Sequence, residues 1–207
     1  RGKGFWILCD EFSWRIAMWN LFLRIKKEKY TCRQKGEYLL IEDFLKGFDT
    51  NGINKAICFL ERQYSFSFGY EAHIQMFFLL SLSIVRARNN KNVQLPDVSP
   101  IKVKERYTKH ITETLIKELE RNYSLSLQDT EKQFIEFAVG ISDIQIFQDE
   151  KQMLQCEADD IELCYFSIRL ISLLSDIVNV NLRQDLFFSK TLFLQLRSMI
   201  VRLQYNI

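Results

Sequence analysis

The sequence predicts an all-α protein, built as tandem helical-bundle modules behind a short β/helix stub. Three observations predict it. Apolar residues recur at helical spacing along almost the whole chain, only two prolines interrupt it, and one nine-residue pattern at a helix end is written twice.

The 207 residues are 47% hydrophobic and 26% charged, enough apolar material for one large or two small cores and too much for a disordered chain. The formal charge of +2 lacks the basic footprint that phosphate-backbone binding leaves, so a nucleic-acid partner would be held by another segment. The longest apolar run, "MFFLLSLSIV" at 76–85, is of core-helix length, below the ~18 residues that span a membrane. The chain opens "RGKGFW" with neither Met nor a signal peptide, and is expected to begin partway through a longer protein. Cys9, Cys32, Cys58, Cys156 and Cys164 form no C-x-x-C pair, and only His73 and His110 supply imidazole. The thiols read as reduced core fillers of a cytoplasmic protein rather than zinc or redox ligands.

In chain order, "GFWILCD" carries the only strand signal. An apolar helix starting near Ser13 ends in "RIKKEK" at 24–29, where Lys and Arg favour the negative end of the dipole. Helices follow over 53–64 and 69–89, and Pro96 and Pro100 in "NVQLPDVSPIKV" mark a joint. Over 101–122, Val103, Tyr107, Ile111, Leu115 and Leu119 run down one face at i, i+4. Helices over 129–145, 160–179 and 185–204, joined by turns such as "SLSLQD" and "NVNLRQ", complete an all-α bundle.

"LERQYSFSF" at 60–68 returns 59 positions later as "LERNYSLSL" at 119–127, and the alignment continues ungapped from Met76–Leu80 onto Ile135–Val139. At an offset of 116, "FFLLSLSIVR" (77–86) superposes on "FLQLRSMIVR" (193–202). The order is half A, half B, half A, and a second half B is expected beyond Ile207.

These residues resemble a known family. "INKAICFLERQYSFSFGYEAHIQMFFLLSLSIVRARN" followed by "TETLIKELERNYSLSLQDTEKQFIEFAVG" is similar to the phosphotransferase-system regulation domain, and "VNVNLRQDLFFSKTLFLQLRSMIVRLQYNI" resembles the opening half of a second one. Such domains are the sugar-responsive part of BglG-type antiterminators and of LicR- or MtlR-type activators. "RGKGFWILCDEFSWRIAMWNLFLRI" is similar to the end of an activator's winged-helix region, through Gly2, Gly4, Phe5, Asp10, Glu11 and Arg15, with Cys9 where the family has glycine. The resemblance implies a winged-helix tail over 1–25, a linker over 26–49, a first regulation domain over 50–150 and the first half of a second over 158–207.

It also implies where a phosphoacceptor histidine would stand, and those positions hold Leu79, Ala138 and Gln195. Leu and Ala offer neither charge nor acceptor, and Gln195 only a neutral amide, so the visible modules are expected to be degenerate as phosphoacceptors. His73, six residues before Leu79, is the candidate for a displaced phosphoacceptor, although a lone histidine on a mixed helix is more often a surface or cap residue. Arg86 and Arg202, equivalent after Ile-Val in the two half-A copies, are expected to bind the module together through a buried or interface ion pair.

Asp159 and Asp160, with Glu157 and Glu162, sit at a helix start, where carboxylates cap free N–H groups rather than bind metal. No phosphate-cradling glycine loop, Ser–His–Asp set or paired-carboxylate cleft is present in the sequence, so no enzyme activity, cofactor or metal is expected. The function implied is the regulatory and dimerisation region of a DNA-binding activator of carbohydrate-uptake genes. The alternatives are an antiterminator, a virulence-type regulator using the modules for oligomerisation, or a helical adaptor. The expected partners are a second copy, DNA through a domain upstream of Arg1, and phosphocarrier or sugar-transporter subunits.

Overall fold

The computed structural model describes residues 8–29, 41, 43, 45, 47–97, 106–142, 144–146 and 161–205. Among them are seven α-helices: α1 (Glu11–Lys29), α2 (Asn51–Gln63), α3 (Tyr70–Arg88), α4 (Arg106–Tyr123), α5 (Asp129–Gly140), α6 (Ile161–Val178) and α7 (Leu186–Gln204). Strands β1 (Phe66–Phe68) and β2 (Ile144–Ile146) pair antiparallel, Phe66 opposite Ile146 and Phe68 opposite Ile144. The fold is all-α.

The two halves of the central bundle repeat each other. In each, a helix runs into a turn and a second helix returns; α2 packs on α4 and α3 on α5. Their buried faces, among them Ile57, Leu60, Phe77, Phe78, Leu115, Leu119, Phe134 and Ile135, form one core. All eight are at most 2% exposed.

The structure accounts for the doubled nonapeptide residue by residue. Leu60 and Leu119 are fully buried. Glu61 reaches past its helix end to accept the Phe68 amide at 3.0 Å, and Glu120 accepts the equivalent Leu127 amide at 2.8 Å. Ser65 and Ser124 take the left-handed conformation that ends the helix, with φ of 50° and 49°. The tyrosines cross over between halves. Tyr64 Oη bonds Thr114 Oγ1 at 2.8 Å on α4, while Tyr123 Oη donates to the Asp49 carbonyl and accepts the Ile53 amide at the start of α2. Burial pushes the Tyr123 phenol up to about 12, so it stays a neutral donor. Its ring lies so close to Gly52 that a Cβ there would meet it at 2.7 Å, which is why the residue is glycine.

The third copy keeps the device with different residues. Asn179 turns left-handed after α6 with φ of 52°, and Ser175 Oγ accepts the Leu182 amide at 3.2 Å. The turn is lengthened by a 3-10 segment, Leu182–Gln184, and Asp185 caps α7 by accepting the Phe188 amide at 2.9 Å. Helices α6 and α7 share a small core of Leu163, Phe193 and Leu196, and Val201 of α7 joins the main one.

Some expectations are corrected. The helix expected over 129–145 stops at Gly140. Ser142 closes it, its hydroxyl donating to the Ala138 carbonyl at 2.8 Å and its amide to Val139 at 3.2 Å, and the chain leaves as β2. Strand structure is therefore not confined to the start of the chain. Most of "GFWILCD" lies outside the described residues, and Leu8–Asp10 have no regular structure. Val103, Pro100, Cys32, Cys156, Glu157, Asp159 and Asp160 also fall outside them.

Candidate functional site at the α1 junction

Helix α1 begins on a cap: Asp10 accepts the Ser13 amide at 2.8 Å and its hydroxyl at 2.7 Å. Those bonds hold the Asp10 carboxyl below the usual range. The helix is apolar on more than one side. Phe12, Trp19 and Phe22 are buried in the same core as the central bundle, with Trp14, Ile16 and Met18 packed against its edge. Phe22 stacks on Trp19 and on Phe78 of α3, with ring centroids 5.6 and 4.8 Å apart. The stub's helix thus shares the central bundle's core.

Four charged side chains lock this junction. Arg15, fully buried, donates to both oxygens of Glu131 on α5 at 2.5 and 3.0 Å, to Glu11 at 2.9 Å and to the Lys91 carbonyl at 3.2 Å. Arg86 on α3 forks onto both oxygens of Glu11 at 2.7 and 2.5 Å. Ser83 donates to Glu131. Each guanidinium also covers a ring, Arg15 over Phe134 at 4.5 Å and Arg86 over Trp14 at 4.1 Å. Two arginines and two carboxylates from α1, α3 and α5 so neutralise one another, the Arg15–Glu131 pair buried and the Arg86–Glu11 pair partly exposed.

Burial opposes ionisation of Glu11, but the hydrogen bonds from Arg86 and Arg15 outweigh it and hold its carboxyl below its ordinary 4.5. Glu61 behaves likewise: burial raises it, and His73 and the Phe68 amide bring it below 4.5. A depressed carboxylate contributes stability that is fully present above the unfolded value and is lost as pH falls through the folded one. The urea midpoint is accordingly expected to hold steady from about pH 8 to about pH 6 and to decline below about pH 4.5, as tryptophan fluorescence of the three indoles would show.

The positions singled out from the sequence are dispersed. Leu79 and Ala138 are fully buried in the core, and Gln195 is exposed on α7. His73 Nδ1 stands 3.9 Å from Glu61 Oε1, with its side chain 17% exposed. His110 lies on an exposed face of α4 and meets Tyr64 edge-on at 5.8 Å. Arg86 pairs with Glu11 at 2.5 Å, its side chain 22% exposed. Arg202 instead donates from Nε and Nη2 to the Ile141 carbonyl, at 3.0 and 2.7 Å. In "RIKKEK", Lys26 pairs with Glu71 at 2.7 Å. Sequence reasoning missed Glu131, whose only signal was an acid in a first helical turn, and Tyr205, which follows α7 and packs on Phe137 with centroids 4.6 Å apart.

Among the described residues no three His, Cys, Asp or Glu side chains converge as metal ligands, and no helix is long and apolar enough to cross a membrane. The arrangement positions helices against one another.

In comparison with known proteins, residues 54–138 fit the family model of the PRD domain. The matched stretch runs from α2 into α5 and contains Arg86 and Glu131 of the junction, while Glu11 and Arg15 precede it. No curated protein and no solved structure matches the chain.

Proposed function

We propose, taking as premise that residues 54–138 are a PRD domain, a helical regulatory domain, that the chain is the regulatory and dimerisation region of a cytoplasmic DNA-binding activator of carbohydrate-uptake genes. In this reading a DNA-binding region precedes Arg1, the PRD domain sets its state, and α1 carries that state between them. The observation that supports it is the junction: Glu11 and Arg15, two of the residues through which the stub resembles a winged-helix tail, are the ones ion-paired to Arg86 and Glu131 of the regulatory bundle.

The visible modules work without phosphate. Leu79 and Ala138 are apolar and fully buried, so neither a phosphoryl acceptor nor a path to one exists at those positions. Incubation of the chain with phosphoenolpyruvate and the general phosphocarriers is expected to leave its intact mass unchanged. Stoichiometric phosphate on the chain would overturn that part of the reading, and its location would decide whether His73 is the acceptor.

The missing histidines favour one second reading, a virulence-type regulator in which the modules serve oligomerisation alone. The two part on the regulon: loss of the full-length gene should abolish induction of sugar-uptake operons in the first reading and leave it intact in the second. Binding of the full-length protein to duplex DNA rather than to an RNA hairpin separates both from an antiterminator.

A further inference from the structure

Three elements that the sequence places far apart meet at one aromatic cluster. Phe12 near the start of α1 lies 5.3 Å from Phe137 of α5, and Tyr205, just past α7, lies 4.6 Å from Phe137 and 5.7 Å from Phe12. Phe134 adds an edge to Phe12 at 6.5 Å. Beside the cluster, Arg202 holds the Ile141 carbonyl at the end of α5, and Val201 would meet a Cβ at Gly140 at 3.6 Å. The Ile-Val-Arg repeat gives this contact its meaning. Arg86 of the first copy grips α1, and Arg202 of the third grips Ile141, the residue that follows α5.

We infer that Tyr205, next to the point where Arg202 holds the Ile141 carbonyl, couples the α6–α7 unit to helix α1 through its ring contacts with Phe12 and Phe137. The inference rests on the regulatory reading only for its purpose; the coupling is a property of the folded chain. A ring pair of this kind adds to what apolar burial contributes. Such coupling is felt equally from either side. A shift in how α6–α7 packs would therefore change the hold on the first turns of α1, next to the Arg15–Glu131 pair.

Amide hydrogen exchange on the whole chain tests this without DNA, sugar or phosphate, so its failure leaves the proposed function standing, and failure of that function leaves it standing in turn. In Tyr205→Leu, exchange of the amides that open α1's hydrogen-bond ladder, from Trp14 onward, is expected to quicken about threefold to tenfold, with α2 and α4 unchanged. In Phe12→Leu the last turn of α7 is expected to quicken by a comparable factor. Tyr205→Phe keeps the ring and is expected to behave as the parent. Quickening confined to α7 in the Tyr205 variant, or an unaltered α7 in the Phe12 variant, would overturn the inference. Should Tyr205→Leu loosen all of α6–α7, the same two readings are taken from Arg202→Gln, which leaves the ring in place and removes the guanidinium that holds the Ile141 carbonyl beside it.

Discussion

Replacing Arg15 with alanine is expected to lower the unfolding free energy by about 3–5 kcal/mol, the cost of leaving a buried carboxylate without its partner. The partner is Glu131, 1% exposed, which receives two guanidinium bonds from Arg15 and one hydroxyl bond from Ser83. With the guanidinium gone, one serine hydroxyl is left to compensate a charge that water cannot reach. The remedy follows from the same physics. Replacing both members, as Arg15→Met with Glu131→Met, removes the charge and keeps apolar volume, so most of the loss should be recovered. Urea unfolding of the two single variants and the double variant measures this as a cycle. A double variant as unstable as the singles would mean that the site is held by packing that the ion pair does not govern.

Replacing Phe22 with alanine is expected to cost about 3–5 kcal/mol, the range for deleting a fully buried ring. The ring is completely buried between Trp19 of its own helix and Phe78 of α3. What makes this variant informative is its position on α1, outside the matched PRD domain. If α1 were a tail resting on the surface, the loss would be confined to fraying of α1, and the bundle's unfolding transition would stay where it was. A single cooperative transition that moves as a whole is the expected result, seen by circular dichroism and tryptophan fluorescence together.

The helices were legible in the sequence because their burial is local in pattern: Ile111, Leu115 and Leu119 point one way at helical spacing, and all three are fully buried. The duplication was legible because it repeats letters. The reasons for those letters were not. Tyr64 and Tyr123 each find their partners on the opposite half of the bundle, 46 to 74 positions away, and no periodicity reports a contact at that distance. The sequence pattern overstates the length of α5 for a related reason. Apolar residues continue through Ile141 and Ile144 at a spacing that still suits a helix, and only the pairing of Ile144–Ile146 with Phe66–Phe68 makes that stretch a strand.

The junction was half visible. Glu11, Arg15 and Arg86 stood out by resemblance, but Glu131 looked like an ordinary first-turn acid serving the helix dipole. Its partner Arg15 comes from α1, 116 positions away, and that contact has no trace in the sequence near Glu131. The phosphoacceptor positions show the converse. Their identities were plain from the repeat, yet only the fold shows that Leu79 and Ala138 are fully enclosed while Gln195 faces outward.

Helix α1 and the central bundle share one core and are expected to fold as one unit, so that what happens in one is felt in the other. Native-state hydrogen exchange of the whole chain measures this most directly. The amides of α1 from Arg15 to Leu23 are predicted to share the protection of α3 and to lose it together with α3 in the same urea range, as members of one cooperative unit do. Exchange of α1 at much lower urea, with α3 still protected, would contradict the account.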